Sequence, residues 1–267
     1  MEEIKIQNLP PSVDCESVAI LKQLNKASRA LGQLKGEVSK IPNSQILLDT
    51  LTLQEVVYTP PQLYADIKNL LDNLERYINI PEFHETDALI KMPIIHFQFE
   101  SIHPYFDGNG RTGRLLNILY LVQQGLLDIP VLYLSSYIIK NKSDYYRLLQ
   151  DVRTKGSWEE WIVWMLKGVE RTAKETIVVV NKIKVLMDDY KKEIRSNVSF
   201  YSHDLINIFF KHPYTKNNFL ERELKIHRKT ASNYLNTLAD AGLLTKVKIW
   251  KHNYFINAPL LKVLKER

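Results

Sequence analysis

Apolar residues recur at helical spacing along most of this chain. Over 17–35 they fall at Val18, Leu21, Leu24, Ala27, Leu31 and Leu34, one face of an amphipathic helix that Gly36 is expected to stop. A short helix is expected over 43–55. It is followed by the β-branched run from Val56 to Thr59 and the pair Pro60-Pro61, which read as extended chain. Helix resumes over 62–77. The segment 87–101 is apolar nearly all round, with Leu89, Ile90, Met92, Ile94, Ile95, Phe97 and Phe99, and so belongs at the centre of a bundle. Pro93 inside it removes a backbone donor and favours a kink. A Gly-rich loop leads into a further apolar helix over 111–124, with Gly125 at the C′ position.

Ser157-Trp158-Glu159-Glu160 forms a capping box, and the helical pattern behind it runs to about Arg195. A helix this long is expected to leave one domain and enter the next. From Ser202 the texture changes to helices over 202–211, 215–224 and 228–241, then strands over 246–249 and 253–256. Three helices and a hairpin describe the winged form of the helix-turn-helix. The fold class is therefore mainly α. The expected divisions are an N-terminal helical region over 1–55, a core over 56–195 and the winged module over 196–267.

Composition narrows the function classes. The 267 residues are 45% hydrophobic and 25% charged, which excludes disordered and low-complexity chains. Charges interrupt every apolar run before it could span a bilayer, and Met1-Glu2-Glu3-Ile4 does not open a secretory signal. A single cysteine, Cys15, forms neither an internal disulfide nor a thiolate metal cage, so a reducing cytoplasm is the expected compartment. Lys and Arg number 36 against 30 Asp and Glu, a mild excess that by itself reads as solvated surface.

The chemistry is concentrated in His103-Pro104-Tyr105-Phe106-Asp107-Gly108-Asn109-Gly110-Arg111-Thr112-Gly113-Arg114. Glycines at a helix start let backbone N–H groups converge on an anion, and the helix dipole adds partial positive charge. Arg111 and Arg114 sit three apart, where forked guanidiniums grip phosphate oxygens; without an anion they oppose the dipole. Asp107 is a hard carboxylate suited to Mg²⁺ between phosphates, and the His103 imidazole can take a proton from a hydroxyl. Together they describe a phosphoryl- or nucleotidyl-transfer site. The loop lacks the G-x-x-x-x-G-K-[S/T] of a Walker A motif. His96 and His103 are seven apart with no H-E-x-x-H, which argues against a zinc helix.

This stretch resembles the signature of the Fic (filamentation induced by cAMP) family, H-x-F-x-[D/E]-G-N-G-R-x-x-R, at every position but Tyr105, where Phe is usual. The resemblance implies a Fic helical bundle core and a Mg²⁺-dependent nucleotidyltransferase that moves AMP from ATP to a hydroxyl of a target protein. It assigns His103 as base and Asp107 as the Mg²⁺ ligand. Nucleotide contacts fall to Gly108, Asn109, Gly110, Arg111, Thr112, Gly113 and Arg114. Tyr145 and Tyr146 resemble the family's adenine-side aromatics, with core packing as the competing reading. Val57, Tyr58 and Thr59 resemble a strand of the flap that aligns the target segment.

The chain departs from that family in one region. An inhibitory motif, [S/T]-x-x-x-E-[G/N], and a first flap strand are expected soon after Glu55 and are not readable there. Self-modification without an activating mutation is therefore expected. A lone flap strand is expected to be mobile or to borrow a partner strand from another chain, so a homodimer is among the expected arrangements. In the winged module Arg228, Lys229, Thr230 and Asn233 are the expected DNA contacts. Three alternatives stay open: a transcription regulator whose Fic domain senses nucleotide, an enzyme transferring another phosphate-containing group, and one removing AMP.

Overall fold

A computed structural model of the chain describes residues 6–41, 64–83 and 85–265. The short helix expected over 43–55 and the flap strand with Val57, Tyr58 and Thr59 lie outside the described residues. The chain divides into two compact units, Met1–Lys35 with Leu51–Thr176, and Gly36–Thr50 with Ile177–Arg267.

Helix α1 (Val18–Val38) starts at Ser17, whose hydroxyl accepts the Ile20 N–H at 3.3 Å. Its buried stripe runs through Ile20, Gln23, Ala27, Ala30 and Leu34. Ala27, Leu31 and Leu34 are buried as expected, whereas Val18 is 67% exposed and Leu21 also lies outside, with Ile20 and Gln23 inside in their place. The helix also passes through Gly36 instead of stopping there. Val38 is buried in its last turn, and burying such a side chain outweighs the roughly 1 kcal/mol that a helical glycine costs.

In the first unit α2 (Tyr64–Asn79) buries Leu70, Leu74 and Tyr77. Helix α3 (Ala88–Ile102) is capped by Asp87, whose Oδ1 accepts the Leu89 N–H at 2.8 Å. It is buried nearly all round, as its sequence demands, and it continues through Pro93. The Pro93 carbonyl accepts the Trp161 indole N–H at 2.8 Å. Helix α4 (Asn109–Gln123) packs against α3 and closes in a Schellman motif at Gly125 (φ 68°). There Leu126 N–H reaches Leu121 O at 2.9 Å, and Gly125 N–H reaches Val122 O at 3.0 Å. Helices α5 (Leu134–Lys140) and α6 (Lys142–Lys155) lead to α7 (Trp158–Asn197), the long helix expected, which buries Trp161, Ile162, Met165, Leu166 and Val169 within this unit.

The second unit takes the remainder of α7, with Val180, Ile183, Met187, Tyr190 and Ile194 inside. Then follow α8 (His203–Lys211), β1 (Tyr214–Thr215), α9 (Asn217–Leu224), α10 (Arg228–Asp240), β2 (Thr245–Ile249), β3 (His252–Ile256) and α11 (Ala258–Lys265). Ser202 caps α8 through the Leu205 N–H at 3.1 Å. The strands form an antiparallel sheet in the order β1-β3-β2, with Thr215 opposite Phe255 and Val247 opposite Tyr254. The buried Asn257 fixes this arrangement. Its Nδ2 donates to Phe209 O at 3.2 Å, and its Oδ1 accepts the Leu260 N–H at 3.1 Å and lies 3.0 Å from the Tyr190 hydroxyl. The hairpin and the three helices stand where the sequence pattern puts them; β1 and α11 were not foreseen. Among the described residues no helix is long and apolar enough to cross a membrane.

Gly168, inside α7, tests this packing. A Cβ there would meet Tyr137 ring carbons at 2.6 and 2.9 Å and Leu134 Cδ1 at 3.1 Å. Helix propensity alone predicts that Gly168→Ala stabilises by about 1 kcal/mol. The close approach predicts a loss of about 1–3 kcal/mol instead. Urea titration decides between them, and a raised midpoint would show that the Tyr137 ring yields.

Candidate active site

Helix α3 ends on His103, which has left-handed backbone (φ 51°, ψ 55°) and sends its N–H to Phe99 O at 3.0 Å. A non-glycine residue holds that conformation only when its surroundings fix the turn. The Asn109 carboxamide does so. Its Oδ1 accepts the Tyr105 N–H at 2.9 Å and its Nδ2 donates to Tyr105 O at 2.6 Å, closing the loop between the two helices. Gly108, at φ 88°, supplies the second left-handed turn, and α4 starts on the next residue. The N–H groups of Asn109, Gly110 and Arg111 occupy the first turn of α4, where no intrahelical acceptor exists, and no side chain caps them. They are the amides that the sequence reading assigned to an anion nest. Asn109 contributes its backbone to that nest, because its side chain is occupied by the clamp.

The charges around the nest differ in their surroundings. Asp107 is about half-exposed; its Oδ1 accepts the Gly108 N–H at 2.7 Å and its Oδ2 pairs with Arg111 Nη2 at 3.3 Å. Arg111 is exposed, whereas Arg114 is only 2% exposed. The two arginines do not lie side by side in one environment, as their spacing had suggested. A Cβ on Gly110 would fall 3.1 Å from Arg114 Nη1, so the glycine makes room for this guanidinium under the first turn. Thr112 turns its hydroxyl to Gly108 O at 3.0 Å. Gly113 is buried where any side chain would collide with the Glu100 carboxylate and crowd Phe99 Cδ1, so its role here is the close approach of α3 and α4. Tyr105 sets its ring 6.3 Å from that of Phe99 and keeps about half its surface in solvent; Phe106 is fully exposed.

Behind the loop lies a buried polar network. His96 is fully enclosed, with Nε2 3.0 Å from the Tyr145 hydroxyl and Nδ1 3.0 Å from Asn117 Nδ2. Its ring stacks on Trp161 with centroids 6.0 Å apart. Burial pushes its pKa down to about 4; the Arg114 charge adds to this, and a backbone bond to Gly113 opposes it. The imidazole is therefore neutral at pH 7 and structural. Tyr145, 4% exposed, packs its ring among His96, Trp161 and Trp164. Tyr146 is half-buried, with its ring edge-on to that of Tyr145 at 5.2 Å. Arg153, also half-buried, reaches Ser101 Oγ at 3.4 Å. Burial lowers its pKa and the nearby Glu100 raises it. Sequence reading weighed His96 only as a zinc ligand and passed over Asn117 and Arg153, because their partners are set by folding. Among the described residues no group of three or more side chains could hold a metal by itself.

Residues 17–121 match the Fic/DOC family, and residues 186–260 match the C-terminal domain of SoFic-like protein adenylyltransferases. The chain thus carries a Fic/DOC family domain followed by a SoFic-like C-terminal domain. Among individual relatives, a probable protein adenylyltransferase of Aquifex aeolicus is 26% identical, over 72% of this chain and 54% of that protein. Protein adenylyltransferase fic-1 of Caenorhabditis elegans is 25% identical, over 62% of this chain and 30% of that one. The chain thus spans about half the length of the first and under a third of the second. A crystal structure of a Fic family protein from Desulfovibrio desulfuricans aligns at a TM-score of 0.40 with 19% identity, covering 90% of this chain and 76% of that chain. A superposition that loose bears on neither fold nor function.

The buried His96 has a consequence for acid stability. In the unfolded chain it takes a proton near pH 6.5, in the folded chain only near 4. Between those values the unfolded state binds more protons, so stability falls as pH drops from 6.5 and this loss levels off below 4. His96→Gln is expected to lower the thermal midpoint at pH 7 and to flatten its decline between pH 6.5 and 4. Parallel declines in the two proteins would exclude His96 as the source.

Proposed function

We propose that this protein is a protein adenylyltransferase, using His103 as general base to move AMP from ATP to a hydroxyl side chain of a target protein. The observation that carries this reading is the clamped loop between α3 and α4. Within twelve residues it holds an imidazole, a carboxylate, open first-turn amides and two guanidiniums. The relatives named as protein adenylyltransferases support it.

The arrangement suits the reaction as follows. The amides of Asn109, Gly110 and Arg111, with Arg111 outside and Arg114 beneath, hold the phosphates and stabilise charge on the departing pyrophosphate. The target hydroxyl oxygen attacks the α-phosphorus of ATP. A new P–O bond forms, the bond from the α-phosphorus to the bridging oxygen of pyrophosphate breaks, and the hydroxyl proton passes to the His103 imidazole. Mg²⁺ fits the residues present, since it binds through one or two carboxylates with substrate phosphates and waters completing its shell, and Asp107 is the carboxylate in place. When bound, it neutralises phosphate charge. Tyr146, less buried than Tyr145, is the better placed of the two tyrosines to meet adenine. The hairpin and helices of the second unit are read as a winged helix-turn-helix.

Labelled ATP tests the reading. With Mg²⁺, protein should acquire label from α-labelled ATP and none from γ-labelled ATP; label from γ alone would make the protein a kinase and sink the proposal. His103→Ala should lower transfer by about 10²–10⁴-fold, because a general base contributes that much. Its thermal midpoint should stay near wild type, since His103 is half-buried at a loop mouth. EDTA and Asp107→Asn should each suppress transfer.

A further inference from the structure

The basic excess of this chain is concentrated near one end. Residues 225–253 contain six lysines and arginines and a single acid, Asp240. Two elements display five of them, all but Lys225. Helix α10 buries Ala231, Leu235 and Leu238 and turns Lys229, Asn233 and Thr237 outward at four-residue steps. Its first residues, Arg228 and Lys229, are exposed cations at the end where the helix dipole repels them.

Beside it stands the β2–β3 hairpin, tied to the helix by Lys246 Nζ, which donates to Asn236 Oδ1 at 2.7 Å. The register sets Lys246 opposite the buried Phe255 and Lys248 opposite Asn253, so both lysines share the face that meets α10. The hairpin tip is Trp250. It is 91% exposed and held at φ 55°, between the exposed Ile249 and Lys251. A tryptophan in full contact with water forgoes the burial that normally places it inside, and here Lys248 and Lys251 stand on either side of it in sequence.

We propose that α10 and the β2–β3 hairpin form a site for duplex DNA. Lys229, Asn233 and Thr237 face base edges, Lys248 and Lys251 contact phosphates, and Trp250 enters the adjoining groove as an apolar wedge against the bases. The charge is complementary to phosphate, and the outward stripe of amide and hydroxyl groups suits base edges. A bilayer would instead require an apolar helix face, and the exposed apolar surface here is confined to the tip residues Ile249 and Trp250. Of the contacts expected from sequence, Lys229 and Asn233 face outward, while Thr230 is half-buried. The site stands independently of the adenylyl-transfer reading, because none of its residues lies in the 103–114 loop.

Fluorescence anisotropy of the full chain with a labelled duplex of about two helical turns, at several salt concentrations, tests this. Wild type should bind with an affinity that falls steeply with salt. Trp250→Ala should weaken binding about tenfold, the loss typical of one stacked aromatic, with the salt slope unchanged. Lys248→Gln and Lys251→Gln should each reduce the slope by about one. Tryptophan fluorescence should be quenched by duplex in wild type and much less in Trp250→Ala. These side chains are exposed, so thermal midpoints should stay at the wild-type value. Absence of binding at low salt would overturn the proposal. So would wild-type affinity in Trp250→Ala with heparin competing as well as duplex. Binding to phosphatidylserine vesicles in place of DNA would assign the surface to a membrane.

Discussion

The Asn109 carboxamide, bonded at both ends to the backbone of Tyr105, is the constraint from which the geometry of the loop follows. A left-handed histidine is uncommon and unfavourable for an isolated residue. Here the chain must reverse between two buried helices in six residues, and the clamp gives the loop backbone the partners it would otherwise take from water. Because Asn109 is also the first residue of α4, the bonds that shape the loop also fix where the helix starts. The open amides and the imidazole are thereby positioned by one side chain. Had Asn109 pointed outward to meet a ligand, the loop would lack its fixed closure.

The layer beneath depends on the close approach of α3 and α4, which uses two glycines differently. Gly110 leaves space for the Arg114 guanidinium, while Gly113 lets the Glu100 side chain and the Phe99 ring come against the helix backbone. One turn further along α4, Asn117 meets His96, and His96 meets Tyr145 on α6. A buried imidazole held on both nitrogens joins three helices at one relative register, since sliding any of them would strand a polar atom. Tyr145 is thereby tied to the core through both ring and hydroxyl. That explains why the tyrosine pair resolves into a packing residue and a more exposed neighbour.

What was legible in the sequence follows the range of the physics involved. The 103–114 motif could be read because turn chemistry and helix starts are encoded within a few residues, and the helices around it carry strong periodic patterns. The burial at the start of α1 was misplaced because Val18 and Leu21 are as apolar as Ile20, and only neighbouring elements decide which face turns inward. Gly36 misled for a related reason: a local stop signal is weak against a buried Val38 beyond it. Strand β1 has two residues, too few for a period, and exists by pairing with β3. The His96 network joins residues 21 and 49 positions apart, and nothing in their spacing announces it. Trp250 was passed over because an aromatic between two strand-forming runs reads as an ordinary hairpin residue until its exposure is known.

Both proposed sites share a local inconsistency. Helices α7 and α8 carry acidic residues in their first turns, Glu159 with Glu160 and Asp204, in agreement with the dipole. Helix α4 instead brings in Arg111, and α10 brings in Arg228 and Lys229, with no acid in either first turn. The repulsion is of the order of 0.3–1 kcal/mol per charge at an exposed helix end. A fold stable by only ~5–15 kcal/mol can carry that, yet gains nothing from it as a free protein. The arrangement becomes favourable once an anion lies against the helix start, because the dipole, the amides and the side-chain cations then act on it together. In α4 the open nest and Asp107 suit a nucleotide phosphate with its metal. In α10 the polar stripe and the lysine-flanked Trp250 suit a polyanion that also offers stacked bases.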